Sequence, residues 1–385
     1  MTNVRAFQTT PRIVIGPGSL DQVDDEVKRL GCRKVMIITD PGLVQTGIVD
    51  RTESLLSDAG LSLSHFDGVE PDPRYEIASQ AAESTKNADA DLIIGIGGGS
   101  PLDIAKVASI LVTNSQPVST FFGIDLVPKR GLPLILVPTT AGTGSEVTPI
   151  AILSDYGEKL KKGIVSQYLL PSVAVVDPEL TLGLPAAVTA ATGMDALIHA
   201  IEAYTSKNAY PMTDMLSLEA MNLIARNIRT VFTNGSDLAA RARMLEGSLL
   251  AGMAFANAGV TAVHAFAYPI GAEFHIPHGV ANSIMLTPVM EFNILGNLGK
   301  FAQIAQALGE NVKGLSEQEA AQRSIEAIRT LVTDLRVPRR LGEFGVKEEH
   351  IPSLAEGVMK VTRLLANNPR ELTLADAVEI YGRVL

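Results

Sequence analysis

Cysteine is almost missing from this 385-residue sequence: the single Cys32 can close no internal disulfide and build no Cys-x-x-Cys site, so any metal must be held by histidines and carboxylates. Histidine is scarce as well, at six residues, so each one needs a placement. Basic residues are outnumbered as well, 32 against 42 acidic. The formal charge is −10, and the short basic runs Lys159 to Lys162 and Arg336 to Arg340 form no stripe, which excludes nucleic acid as the expected partner. The opening MTNVRAFQTTPRIVIG has no apolar core of the signal-peptide kind, and with one cysteine this predicts a cytoplasmic protein. Gly247 to Ala272 carries no Asp, Glu, Lys or Arg and is long enough to cross a bilayer, but Asn257, Thr261, His264 and Pro269 interrupt it. Helices buried within protein, apolar on every side, are the expected use of that stretch, and no membrane partner is expected.

With 46% apolar and 19% charged residues, the chain is too hydrophobic for disorder and long enough for two or three domains. Its first half alternates β-branched runs with helical patterns. Strands are predicted at Arg12 to Ile15, Lys34 to Thr39, Leu61 to Phe66, Asp91 to Ile96, Leu132 to Val137 and Ser172 to Val176, with helices at Ser19 to Leu30 and Arg74 to Ala88. Near-continuous apolar strands such as VMII and LIIGI fit a parallel sheet covered on both faces. After DPELTLGLPAA the pattern turns helical throughout, including Glu317 to Leu335 and Thr373 to Tyr381. The predicted fold class is therefore an α/β N-terminal domain over 1–183 plus an all-α C-terminal domain over 184–385, with no repeat or flexible linker and a ligand cleft expected between them.

Three segments carry chemistry. DLIIGIGGGSPLDIAKVASI reads as a strand, a glycine turn and a helix opening at Ser100 and Pro101, where free amides and the helix dipole favour a phosphate; a turn needing small residues only for packing is the other reading. In the usual dinucleotide fingerprint an acid follows the glycines, whereas here the best candidate, Asp40, precedes them at the end of KVMIIT. It can bind adenosine ribose and repel a 2′-phosphate, favouring NAD over NADP, or simply cap the helix after Pro41. VPTTAGTGSEVT offers Thr139, Thr140, Thr143 and Ser145 as hydroxyls for a cofactor cleft or for a solvated turn.

The third segment, ATGMDALIHAIEAY, places Asp195 and His199 one helical turn apart on one face, a spacing that suits a shared metal ion or a surface contact. His264 lies in the uncharged stretch, where an unsatisfied imidazole costs about 1 to 3 kcal/mol. His278 follows in HIPHGVANS, with His275 as its competitor; His65 and His350 read as surface or packing residues. One carboxylate and three imidazoles suit Fe, Zn or Mn, with positions left for a substrate oxygen beside a nicotinamide.

With these motifs in this order, from ITDPGLVQTG to NNPRELTL, the chain resembles the iron-containing (group III) alcohol dehydrogenase family, and especially its lactaldehyde reductase (propanediol oxidoreductase) branch. The resemblance implies a dehydroquinate synthase-like fold, NAD(H), and a divalent metal, Fe2+ before Zn2+ or Mn2+, held by Asp195, His199, His264 and His278. It assigns Gly97, Gly98, Gly99 and Ser100 to the pyrophosphate, Thr139, Thr140, Thr143 and Ser145 to a second cofactor loop, Asp40 to NAD preference, and Lys162, to within a residue, to the cofactor. It also implies a homodimer or larger homo-oligomer. Two departures stand out: in HAFAYP, Tyr268 takes the place of a histidine proposed to relay protons, and Asp72 stands where the branch tends to have Asn. Tyr268 is thus the candidate relay, and Phe255 a candidate pocket wall or core residue. The expected activity is an NAD-dependent, metal-assisted alcohol dehydrogenase or aldehyde reductase acting on a small alcohol or aldehyde. The alternatives are a hydroxyacid-oxoacid transhydrogenase with bound NAD, a dehydroquinate synthase-like lyase and a non-enzymatic binding module.

Overall fold

The computed structural model describes residues 4–158 and 160–385; the first three residues of the N-terminal segment and Lys159 of the basic run lie outside the described residues. The chain divides into two compact units, Gln8–Leu184 and Pro185–Leu385, with residues 4–7 clustering with the second.

In the first unit, strands β1 Ile13–Ile15, β2 Lys34–Ile38, β3 Ser62–Phe66, β4 Leu92–Gly97, β6 Leu134–Pro138 and β9 Val173–Val176 form one sheet in the order β1-β9-β6-β4-β2-β3. All its pairings are parallel. Helices α1 Val23–Arg29, α2 Pro41–Val44, α3 Ile48–Asp58, α4 Tyr75–Asn87 and α5 Gly99–Thr113 connect these strands. Successive strand residues face opposite sides, and here both sides are buried. Met36, Ile38 and Ile93 pack with residues of α4 and α5, such as Ala78 and Ile104. Val35, Ile37, Leu92, Ile94 and Ile96 pack with residues of α1 and α3, such as Val27 and Leu56. Burial at both faces, at about 1.5 to 3 kcal/mol per large aliphatic side chain, is why the inner strands β2, β4, β6 and β9 lack a polar alternation, which edge strand β3 (SLSHF) keeps.

All six sequence-read strands are the strands of this sheet. The sequence reading did not foresee a second sheet of β5 Gly123–Ile124, β7 Ile150–Asp155 and β8 Leu160–Val165, in the order β5-β8-β7. The β7 and β8 pair is antiparallel, and β8 is LKKGIV, mostly half-exposed and too polar to stand out.

The second unit is helical: α6 Ala186–Thr205, α7 Pro211–Thr233, α8 Leu238–Ala258, α9 Ala262–Phe274, α10 His278–Asn293, α11 Leu298–Ala307 and α12 Glu317–Asp334, followed by shorter helices. The uncharged stretch falls across α8 and α9, which meet at a bend of 101° after Gly259; no single helix among the described residues is long and apolar enough to cross a membrane. Most residues of α6 from Gly193 onward are buried, as expected for a helix surrounded by others.

Candidate metal centre and dinucleotide loops

The turn after β4 is set by Gly97, whose φ of +147° is open to glycine and strained for other residues; a Cβ there would also meet the Pro101 ring at 2.6 Å. Gly98 precedes α5 with no side-chain cap, so the first-turn amides of this 15-residue helix are not claimed by a capping side chain. Gly98, Gly99 and Ser100 are half-buried, and a Cβ on Gly99 would lie 2.7 Å from Thr143 Cγ2. The glycine loop and the threonine loop therefore form one cradle, held also by Thr139 N–H donating to Gly97 O at 2.9 Å. Such a concave run of amides at a helix N-terminus fits a pyrophosphate.

Asp40 follows β2, the neighbour of β4, which explains how an acid that precedes the glycines in sequence comes to lie beside them. Its Oδ1 accepts from Leu43 N at 2.9 Å as the cap of α2, while Oδ2 lies 3.4 Å from the Cβ position of Gly97. The capping reading is therefore seen directly, and the second oxygen lies beside the glycine turn.

Ser145 and Lys162 are placed differently. Ser145 is buried; its Oγ donates to Asp103 Oδ1 at 2.6 Å and accepts from Lys106 Nζ at 2.7 Å. Lys162, on β8, is paired at 2.9 Å with both Asp155 and Glu158. Its neighbour Lys161 meets Asp72 at 2.5 Å, and Asp72 itself has a left-handed backbone, φ 47°.

In the helical unit, α6 carries Asp195 and His199, the first turn of α9 carries His264, and His278 opens α10. Gly279 lets α10 approach, since a Cβ there would lie 2.4 Å from Ala191 O on α6. The donor atoms converge. His264 Nε2 is 3.0 Å from His199 Nε2, and Asp195 Oδ1 is 3.9 Å from His264 Nε2 and 3.8 Å from His278 Nε2. Ligands about 2.0 to 2.2 Å from a common ion are separated by about this much, so the donor set fits a divalent first-row metal. Asp195, His199 and His264 are buried, and His278 is half-buried.

Burial pushes the Asp195 carboxyl up, but His199, His278 and His264 together with the Asn282 amide outweigh it and hold Asp195 below the usual carboxylate range. Asn282 Nδ2 donates to Asp195 Oδ1 at 2.7 Å and lies 3.2 Å from the Nε2 atoms of His264 and His278. The competitor His275 is exposed at the end of α9 and lies outside the cluster. His65 is exposed near Glu53, and His350 packs on Phe274. Phe255 stacks on His199 with ring centroids 4.3 Å apart, and Tyr268 lies beside His278 with centroids 6.2 Å apart.

Two groups escaped the sequence reading. Glu202, one turn beyond His199 on the same stripe of α6, bonds His264 Nδ1; its spacing from Asp195 and His199 was the available signal. Lys106, in DIAK, is fully buried with Asp103 nearby, and nothing in an i, i+3 charge pair distinguishes it from a surface contact.

Comparison with known proteins agrees across both units. The family model for iron-containing alcohol dehydrogenase matches residues 10–178, and that for the Fe-containing alcohol dehydrogenase family, C-terminal, matches 189–385. Long-chain-alcohol dehydrogenase 1 of Geobacillus thermodenitrificans (strain NG80-2) is 46% identical over 95% of this chain and 93% of its own length. The 1,3-propanediol dehydrogenase of Citrobacter freundii is 43% identical, covering 95% of each. A crystal structure of a 1,3-propanediol oxidoreductase superposes with a TM-score of 0.97 at 40% identity, over 100% of both chains. With a parallel α/β unit, a helical unit and matches across both, the chain belongs to the iron-containing alcohol dehydrogenase family.

Proposed function

We propose that the protein is an NAD-dependent, metal-assisted alcohol dehydrogenase and aldehyde reductase, a cytoplasmic homo-oligomer acting on a small alcohol or aldehyde, with residues 1–183 binding NAD and 184–385 binding metal. The observation that carries this reading is the convergence of one carboxylate and three imidazoles within a buried cluster. Asp195, His199, His264 and His278 would hold a divalent ion, Fe2+ before Zn2+ or Mn2+. Such an ion supplies Lewis acidity that lowers an alcohol's pKa or polarises a carbonyl, while NAD supplies the hydride carrier.

The chain's own residues do the rest. The amides of Gly97 to Ser100 at the start of α5 bind the pyrophosphate, and Asp40 Oδ2, beside Gly97, takes the adenosine ribose and disfavours a 2′-phosphate. Thr140 and Thr143 line the cradle. The Thr139 hydroxyl serves the cofactor beside them, whereas Ser145 and Lys162 serve it indirectly, since the Ser145 hydroxyl and the Lys162 amine are bonded within the protein. Phe255 keeps His199 in place and supplies an apolar wall. Tyr268, beside His278, accepts or returns the alcohol proton.

The test is anaerobic purification and metal analysis, followed by NADH-dependent reduction of short aldehydes by Fe2+- and Zn2+-loaded protein. The reading expects one metal ion per chain and activity that follows loading. Tyr268→His should move the pH profile of kcat, and an unchanged profile removes Tyr268 from the proton path. Tyr268 also supports a second reading, a hydroxyacid-oxoacid transhydrogenase. Turnover that needs free NADH and no acid pair counts against it.

A further inference from the structure

We infer that Glu202 is a positioning residue that fixes the tautomer and aim of His264 and thereby sets the affinity of the metal centre; the inference rests on the metal reading of the four ligands above. Glu202 is 1% exposed on α6 and reaches across to the N-terminus of α9. Its Oε1 accepts from Thr261 Oγ1 at 2.6 Å and from Val263 N at 2.7 Å, which caps a helix that Thr261 does not cap with its own side chain. Its Oε2 bonds His264 Nδ1. A carboxylate can only accept, so a neutral His264 carries its proton on Nδ1, and the Nε2 lone pair is turned toward His199 Nε2 and Asp195 Oδ1. This is the arrangement by which an outer carboxylate holds a metal-ligating imidazole in one orientation and raises its basicity. Glu202 and Asp195 also bring two negative charges to one buried cluster, the balance of a divalent ion.

The amide variant isolates the effect. In Glu202→Gln the carbonyl must stay opposite Val263 N–H, which can only donate, so the new NH2 faces His264 Nδ1. That NH2 donates, Nδ1 must accept, and the imidazole proton moves to Nε2, where it blocks the ligand position. The helix cap is kept. Glu202→Gln is therefore expected to lower the affinity of metal-free protein for Zn2+, measured by chelator competition, by about 10- to 100-fold. Its thermal midpoint without metal should stay close to that of the parent. Parent-like Zn2+ affinity in Glu202→Gln overturns the inference while leaving the metal reading standing; a parent protein that takes up no Zn2+ overturns both. Should the variant not fold, 15N-histidine spectra of the metal-free parent, with His264 assigned by its loss in His264→Ala, decide the same point. In the neutral ring a proton on Nδ1 is expected, and a neutral ring protonated on Nε2 instead contradicts the inference.

Discussion

Each unit buries a polar cluster, and the two clusters are built on opposite principles. In the α/β unit, Lys106 gives its donors to Ser145 Oγ at 2.7 Å, Thr148 Oγ1 at 3.1 Å and Ile150 O at 2.8 Å. Asp103 takes the Ser145 hydroxyl and, at 2.9 Å, Ile152 N–H. Donors meet acceptors and charge meets charge here, although buried Glu146 Oε1 accepts no hydrogen bond, and the cluster ties α5, just beyond the glycine loop, to the threonine loop and β7. In the helical unit Asp195 Oδ1 and the Nε2 atoms of His264 and His278 gather around the Asn282 amide instead, with His264 Nε2 3.0 Å from His199 Nε2. Under the proposed function a cation would sit in that cluster of ligand-type atoms, which sets a charge-paired support apart from a candidate binding site.

The difference can be broken by mutation. His264→Ala should have the largest effect, removing metal by more than the roughly 10- to 100-fold expected of an outer partner, with folding largely kept; elemental analysis after dialysis against trace Zn2+ checks it. Lys106→Met should do the reverse. Leaving half-buried Asp103 and buried Glu146 without their cation should cost about 3 to 5 kcal/mol of stability, seen in denaturant unfolding, while metal content per folded chain stays at the parent level. Adding Asp103→Asn to Lys106→Met should recover part of that loss, and no recovery would mean the two are not a pair.

A smaller effect concerns pH. Burial pushes Glu146 up to about 7 and Lys106 down to about 8, and the cation beside Glu146 only partly offsets the carboxyl's shift. A carboxyl raised in the folded state contributes stability that is complete below its unfolded value of 4.5 and is lost as pH rises toward 7. Glu146→Gln should therefore raise the thermal midpoint at pH 8, change it little at pH 4.5, and flatten the slope between. An unaltered slope would assign that pH dependence elsewhere. The smallest expected change is in Asp40→Gly, where losing one charge near a 2′-phosphate should improve the NADP-to-NAD ratio of kcat/KM about fivefold, equivalent to ~1 kcal/mol.

Much of this was legible in the sequence because burial leaves a composition signal. The strands VMII and LIIGI announce a parallel sheet, and the uncharged stretch announces buried helices around His264. Asp195 and His199 were candidates through their spacing and His264 through its apolar surroundings, with His278 alongside His275, and the family pattern then singled out the four. Glu202 and Lys106 were not, because a charged side chain on a helix looks the same in sequence whether it meets water or a buried partner. The same ambiguity made the Ser145 hydroxyl a candidate for the cofactor, whereas in the structure it turns inward to Lys106 and Asp103. β7 and β8 were missed because the apolar run IAIL of β7 is only four residues long and β8, LKKGIV, is mostly half-exposed and mixes charge with apolar residues.

The central claim is that the helical cluster is a metal centre on which NAD-linked chemistry depends. Metal content and NADH oxidation with a short aldehyde, measured on the same anaerobically purified sample before and after chelation and again after Fe2+ or Zn2+ is restored, test it most directly. The account predicts one ion per chain, loss of activity with the ion, and recovery on its return. Full NADH-dependent turnover by metal-free protein would contradict it.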